Sequence, residues 1–360
     1  MARYTHTIVR LGAIIQNLES AKSYAPDSRI MAVVKANAYG HGAVEVAQAL
    51  QDRVSAFAVA FMDEAVELRD AGITRPILVL QGTNSVADVA EAAARDFWLM
   101  LHSRSQVGRV LRSNTSKAVR VWVKTDTGMH RLGLDLTEVD AVLEDLSASA
   151  NVQQGIVLCT HLACADELQN PMTSRQVSRF REVAANYRLP LSIANSAAIM
   201  SWPQTHAEWN RPGIMLYGSN PLGLSAGSAS DLVPAMSINS EIISIKQLGA
   251  GDGVGYGLNW VADRPTRVGT VAIGYADGYP RHAPNGTPVL VNGQRVPLVG
   301  RVSMDMLTVD LSELEAVEIG APVELWGQQL SVDEVASHAG TIGYELLAGL
   351  SGRVPITYIP

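Results

Sequence analysis

The stretch Ile30-Met31-Ala32-Val33-Val34-Lys35-Ala36-Asn37 decides between the two parallel-sheet folds open to this chain. Five apolar residues in a row predict a strand buried on both faces. A doubly wound sheet would leave such a strand through a Gly-rich turn. Here the strand runs into a lysine, with no G-x-G-x-x-G. The same texture then recurs at 56–60, 77–80, 97–101, 118–123, 155–160, 191–194 and 213–216. Helical patterns separate these runs at 43–50, 63–71, 86–94, 103–111, 136–146, 175–186 and 196–201. Strands alternating with helices predict a parallel sheet. Eight strands in about 190 residues predict an α/β fold built on a (β/α)8 TIM-type barrel.

After Tyr217 the pattern changes. Residues 218–230 are rich in Gly, Ser, Pro and Asn and predict a linker. Alternating runs follow at 237–245, 267–273, 288–291, 298–311 and 323–326, with Asn292-Gly293 as a hairpin signal. Two short helices are expected at 332–338 and 344–350. The expected plan is a barrel over 1–225 and a smaller, mostly antiparallel β domain over 226–360, which suits a chain of 360 residues.

Composition narrows the function classes. With 47% apolar and 18% charged residues the chain is globular. A net charge of −7 is a poor match for nucleic acid or an anionic membrane, yet leaves room for a local basic pocket. Cys159 and Cys164 are the two cysteines, so there is no disulfide framework. The region 8–25 is interrupted by Arg10, Glu19 and Lys22, and no run reaches the ~18 apolar residues of a membrane span. The expectation is a cytoplasmic protein with no membrane or nucleic-acid partner.

Barrel enzymes place their chemistry at the carboxyl ends of strands. Lys35 ends the first strand here. Lys124 ends the fifth, with Asp126, His130 and Arg131 just beyond. His161 ends the sixth, Asn195 and Ser196 the seventh, and Arg211 and Gly213 flank the eighth. A lysine held at a buried strand end loses solvation, which lowers its pKa and suits a Schiff-base amine. The same lysine could instead snorkel from the barrel rim. Cys159-x-His161-x-x-Cys164 has a metal-like look, but the further ligands Asp166 and Glu167 are unanchored, so no metal is expected. The glycine-rich segment 249–257, GAGDGVGYG, lacks a GK[ST] ending and lies in a β region, so it reads as a hairpin or a bulge.

Taken together, the segments carry a resemblance. KANAYGHG (35–42) resembles the pyridoxal-phosphate lysine motif of the alanine racemase family. VKTDTGMHRLG (123–133), THLA (160–163), ANSA (194–197) and RPGIMLYG (211–218) resemble further blocks of that family in order. GYG (255–257), GYADGYP (274–280) and VGRVSMD (299–305) resemble its C-terminal blocks, with Ser303 where some members have cysteine.

The resemblance implies pyridoxal 5'-phosphate as cofactor and interconversion of L- and D-alanine by two bases on opposite faces of Cα. Lys35 would serve the D-enantiomer and Tyr256 the L-enantiomer. A phenol is a weak base at neutral pH. The family sets His161 against the tyrosine hydroxyl and against Arg211, which would meet the pyridine nitrogen. Tyr39, Asn195, Ser196, Gly213, Ile214 and Tyr344 would hold the cofactor. Arg131 and Met304 would bind the substrate carboxylate. Lys124, often carbamylated in the family, would orient Arg131, with Asp126 and Asp305 as other sources of negative charge. Tyr275 and Tyr344 would narrow the entrance. The family's site forms in a homodimer, shared across the interface. The alternatives are a broader amino-acid racemase acting on serine, or a barrel-type pyridoxal-phosphate decarboxylase.

Overall fold

A computed structural model describes residues 3–115, 117–223 and 231–360. The chain divides into two compact units, Leu18–Leu216 and Met1–Asn17 with Tyr217–Pro360. The expected boundary at 225/226 and the later part of the expected linker lie outside the described residues.

The first strand in the chain, β1 (His6–Arg10), belongs to the second unit. The barrel in the first unit follows as β2 (Arg29–Val33), β3 (Ala56–Val59), β4 (Ile77–Val79), β5 (Phe97–Leu101), β6 (Val121–Lys124), β7 (Val157–Cys159), β8 (Leu191–Ser192) and β9 (Trp209–Asn210). All neighbours pair in parallel, and β9 returns to β2 through Ile30↔Asn210, closing the barrel. The apolar runs that announced these strands are buried almost throughout, as an interior filled by side chains requires. Trp98, Trp122 and Trp209, each near the start of its strand, stack edge and face with centroids 5.6–6.4 Å apart. Arg120 and Arg29 lie over Trp98 and Trp209 at 5.1 and 5.5 Å. The amino end of the barrel is thus sealed by aromatic bulk, leaving the carboxyl end for chemistry.

The expected eighth strand at 213–216 is corrected. The closing strand is the two-residue β9, and Ile214–Tyr217 is a 3-10 turn fixed by Leu216 N–H donating to Gly213 O at 2.9 Å. Pro212 has no N–H to continue a ladder, so the strand stops before it. Arg211 therefore stands just past a strand end.

In the second unit, β10 (Met236–Leu248), β11 (Gly253–Val254), β12 (Trp260–Val261), β13 (Thr266–Val271), β14 (Pro288–Val291), β15 (Gln294–Pro297), β16 (Leu307–Asp310), β17 (Pro322–Trp326) and β18 (Ile356–Ile359) complete the strands. The main sheet runs β15-β14-β17-β10-β1-β18, with β13 paired to β10 and β16 paired in turn to β13. Pairing is antiparallel except between β1 and β18. The β14–β15 hairpin turns on Asn292 and Gly293, both at positive φ (52° and 75°), as its sequence requires. The glycine-rich segment forms the expected hairpin, β11 with β12. The run at 298–311 is corrected: only Leu307–Asp310 is strand, because 298–306 forms the irregular corner that carries Met304.

Candidate active site

Lys35 follows β2 by two residues and is half-buried. Burial lowers its amine pKa, the Arg131 charge lowers it further, and Glu64 opposes both. The residues after it adopt an unusual backbone. Ala36, Asn37, Ala38 and Tyr39 have φ of 52–53° and ψ of 42–51°, one turn of left-handed helix without a glycine. Each such residue costs roughly 1–2 kcal/mol, so neighbours must hold the turn. Ala38 N–H donates to Val34 O at 2.9 Å, Gly42 N–H to Asn37 O at 3.0 Å, and Ala43 N–H to Asn37 Oδ1 at 2.8 Å.

The turn carries Tyr39 to Gly213. A Cβ on Gly213 would lie 2.7 Å from the Tyr39 hydroxyl, so any side chain there would push the tyrosine ring away. Ser196 Oγ accepts the N–H of Gly213 at 2.9 Å and of Met215 at 3.4 Å. Asn195 spends its side-chain oxygen on Ala198 N–H, capping the helix Ser196–Ser201. Ile214 is buried in the following turn.

Arg211 is buried and fixed by carbonyls and a hydroxyl. Its guanidinium donates to Ser192 Oγ at 2.5 Å, Thr160 O at 2.7 Å and Ile193 O at 3.3 Å. The His161 pKa is driven well below its usual value by burial and then by Arg211, Lys124, Arg131 and Lys35. The imidazole is neutral at physiological pH. These four cations all stand at or beyond the carboxyl ends of barrel strands. Asp126 accepts the N–H groups of Gly128, Met129 and His130 at 2.9–3.1 Å. Burial works against its charge, but those bonds and His130 hold its carboxyl below the usual range.

Lys124, the last residue of β6, is 8% exposed. Burial brings its pKa down to about 8, with Arg211 and Arg131 acting the same way and Cys159 and Asp126 against. The Cys159 thiol is itself pushed up to about 11 by burial. At pH 7 Lys124 is charged in both folded and unfolded chains, so the fold bears the full cost of a crowded cation. That cost is lifted only as pH rises from about 8 towards the unfolded value near 10.4. Lys124→Met in carbonate-free buffer is therefore expected to raise the thermal midpoint of the cofactor-free protein at pH 7 by roughly 3 °C or more. The gain shrinks to nothing by about pH 10.4, as midpoints taken across that range would show.

Four expected site residues lie in the second unit. Tyr256 is 69% exposed at a turn between Gly255 and Gly257, both at positive φ. Tyr275 N–H donates to Ser303 O at 3.0 Å and Ala276 N–H to Met304 O at 2.9 Å, so Tyr275 and Met304 share one corner. A Cβ on Gly274 would meet Met304 O at 2.4 Å, so this close approach needs glycine. Buried Asp277 pins the corner through Gly274 N–H at 3.0 Å and ion-pairs with Arg3. Arg353 holds Asp305 at 2.7 Å. Tyr344 lies in the helix Gly343–Ala348 and is partly exposed.

Some residues escaped the sequence reading. Buried Gln176 donates to His161 O at 2.9 Å and Thr127 Oγ1 at 3.1 Å and accepts Ala163 N–H at 2.8 Å, clamping the ends of β6 and β7. His102, just past β5, has its pKa lowered by burial and then by Lys124 and Arg109. Glu64 accepts from Ala36. Strand-end position could have found His102, but nothing local marks Gln176. Among the described residues, no group of three or more His, Cys, Asp and Glu is placed to hold a metal ion. No helix among them is long and apolar enough to cross a membrane.

A closed parallel barrel with a half-buried amine and a fixed guanidinium at its carboxyl mouth, joined in one chain to an antiparallel β unit, defines a two-domain barrel enzyme. Comparison with known proteins says which. A family model described as alanine racemase, N-terminal domain, matches residues 9–221, and one described as alanine racemase, C-terminal domain, matches 235–358. An alanine racemase of Chromohalobacter salexigens is 47% identical over 358 residues, covering 99% of this chain and 98% of the relative. A crystal structure of a biosynthetic alanine racemase from Pseudomonas aeruginosa superposes with a TM-score of 0.97 at 46% identity, covering 100% of both chains. Another, of alanine racemase from Bartonella henselae with covalently bound pyridoxal phosphate, has a TM-score of 0.89 at 29% identity, covering 99% and 100%. The chain belongs to the alanine racemase family and is an isomerase.

Proposed function

We propose that this enzyme interconverts L- and D-alanine with pyridoxal 5'-phosphate, the barrel contributing Lys35 and the β domain Tyr256. The observation that carries this reading is the strand-end set itself. Lys35, Lys124, Arg131 and Arg211 all bear on His161, and the carboxylates that bear on Lys35 and Lys124 are Glu64 and Asp126. A mouth with that surplus of positive charge suits an anionic group. The Tyr39–Gly213–Ser196 cradle, where a Cβ would crowd the tyrosine, suits its phosphate, and Ile214, Asn195 and Tyr344 would complete the hold. When bound, pyridoxal phosphate supplies an electron sink for the charge left at Cα.

The chain's residues do the rest. Lys35, its amine pKa lowered, would hold the cofactor covalently and then move a proton on one face of Cα. Tyr256 would move a proton on the other. Arg211 keeps its protons, so a ring nitrogen bonded to it stays unprotonated, which limits side reactions. Arg131 and the Met304 N–H would hold the substrate carboxylate. With its pKa brought down to about 8, Lys124 has a minor free-amine fraction at neutral pH to which carbon dioxide would add, an N–C bond forming and a proton leaving, and the resulting anion would orient Arg131. Tyr275 and Tyr344 would restrict the entrance to small side chains.

Tyr256, Leu258, Met304 and Met306 are exposed apolar side chains that a second subunit would cover, consistent with a homodimer that shares its sites. We place the enzyme in the cytoplasm, supplying or consuming D-alanine, with cell-wall peptidoglycan as the outlet for supply.

A panel of single-enantiomer amino acids tests the reading. Either alanine enantiomer should run to a near-equal mixture, serine should turn over more slowly, and no carbon dioxide should appear. Carbon dioxide release from a basic amino acid, or an unchanged alanine enantiomer, would overturn it.

A further inference from the structure

The left-handed turn after Lys35 needs support from outside itself, and its first residue shows where that support comes from. Ala36 N–H donates to Glu64 Oε1 at 2.7 Å. The other oxygen of the same carboxylate, Oε2, accepts Ala60 N–H at 2.6 Å and Phe61 N–H at 3.1 Å. Ala60 and Phe61 are the exit of β3, and Glu64 is in the first turn of the helix Met62–Asp70. One carboxylate thus ties the exit of β2 to the exit of β3. We propose that Glu64 is a positioning residue for Lys35, fixing the left-handed turn that aims the amine and placing the compensating negative charge beside it. This rests on the reading of Lys35 as the cofactor-holding amine.

A helix cap needs only the bonds to Ala60 and Phe61. The Ala36 bond lies 28 residues away in sequence and contributes nothing to that helix. It serves a turn whose four residues are alanine, asparagine, alanine and tyrosine, three of which resist positive φ. The charge matters as well. The groups that bear on Lys35 are Arg131 from the segment after β6 and Glu64 from the helix after β3, and Lys35 in turn bears on His161 after β7. With His161 neutral, Glu64 is the group that opposes Arg131 and burial. It keeps the amine from losing its proton too readily, so that Lys35 can both give and take one.

Glu64→Gln separates the two contributions. A glutamine has one acceptor oxygen, so it cannot serve Ala36 and the Ala60–Phe61 pair together, and it carries no charge. The readout is covalent loading of the cofactor-free, full-length protein with added pyridoxal phosphate. The neutral amine adds to the aldehyde carbon, a C=N bond forms and one water leaves. Loading is followed by absorbance across pH, trapped with borohydride and mapped among the five lysines, Lys22, Lys35, Lys117, Lys124 and Lys246.

Loss of the charge should move the pH of half-maximal loading rate down by about half a unit. Loss of the Ala36 bond should lower the plateau rate about tenfold. Adding Ala36→Gly, which removes the conformational penalty at that residue, should recover part of the plateau but leave the midpoint shifted. Should Glu64→Gln not fold, Glu64→Asp keeps the charge and loses the reach to Ala36, so the midpoint holds while the plateau falls. A parent-like midpoint and plateau in Glu64→Gln, or a parent-like plateau in Glu64→Asp, would show a helix cap and overturn the proposal. A parent protein that does not load at Lys35 would instead overturn the reading beneath it.

Discussion

Lys35→Ala is expected to give a folded protein that forms no covalent, borohydride-reducible link to the cofactor and has lost racemisation by on the order of 10³-fold or more, equivalent to about 4 kcal/mol or more of the barrier. The fold survives because backbone holds this corner. Val34 N–H donates to Ala58 O and Ala38 N–H to Val34 O, each at 2.9 Å, and neither needs the lysine side chain. Removing the amine also removes a half-buried cation that faces Arg131, so the thermal midpoint should not fall.

The activity loss is large because Lys35 has two tasks that no neighbour can take over. It holds the cofactor covalently, and it moves the proton on one face of Cα. Lys124 is the other lysine at the carboxyl end of the barrel, but it is 8% exposed and ends β6, while Lys35 follows β2. The measurement is an absorbance spectrum with and without borohydride, beside a chiral assay from each enantiomer. Retention of a reducible absorbance band in Lys35→Ala would place the covalent link on another lysine and sink the assignment.

The barrel was legible because its strands are near-continuous apolar runs, the pattern of strands buried on both faces. At the closing strand the pattern failed. Trp209–Asn210 is too short to show a period, and the apolar Ile214-Met215-Leu216 nearby drew the assignment instead. β1 and β18 were missed because their partners are remote: Thr7 pairs with Ile356 and with Ile238. No local pattern carries that information.

The candidate site divides in the same way. Lys35, Lys124, His161 and Ser196 stand at or just past strand ends, so strand position and residue chemistry located them, whereas Arg211 was placed before its strand and came from the resemblance of RPGIMLYG to a family block. The turn that aims Lys35 was invisible, because Ala-Asn-Ala-Tyr contains no glycine to signal positive φ. Glu64 was half-visible: its place in the first turn of a helix marks a cap, but its bond to Ala36 exists only once β2 and β3 lie side by side. Gln176 reaches His161 through a backbone carbonyl, which sequence cannot show. Tyr256 drew attention through its resemblance to a family block, since an exposed turn tyrosine between glycines carries no chemical signature of its own.

Tyr256→Phe is the sharper test of the two-base assignment, because it should break the symmetry between enantiomers. Steady-state rates cannot reveal this. An equilibrium constant near one forces kcat/KM to be equal in the two directions, whichever base is lost. Proton exchange at Cα is free of that constraint. In deuterated water Lys35 can still remove the Cα proton of D-alanine and return a deuteron to the same face, giving labelled D-alanine without inversion. L-alanine needs a base on the other face, which phenylalanine cannot supply. Label entry into L-alanine should therefore fall by about 10²–10⁴-fold, while entry into D-alanine falls far less. The side chain is 69% exposed in the single chain and makes up a turn, so loss of its hydroxyl should leave the fold unchanged. The same variant tests the shared site. Mixed with Lys35→Ala and re-equilibrated, half of the dimers should be mixed and each should hold one intact site, recovering about a quarter of parent activity. Equal loss of exchange from both enantiomers would remove Tyr256 from its assigned face, and no recovery on mixing would confine each site to one subunit.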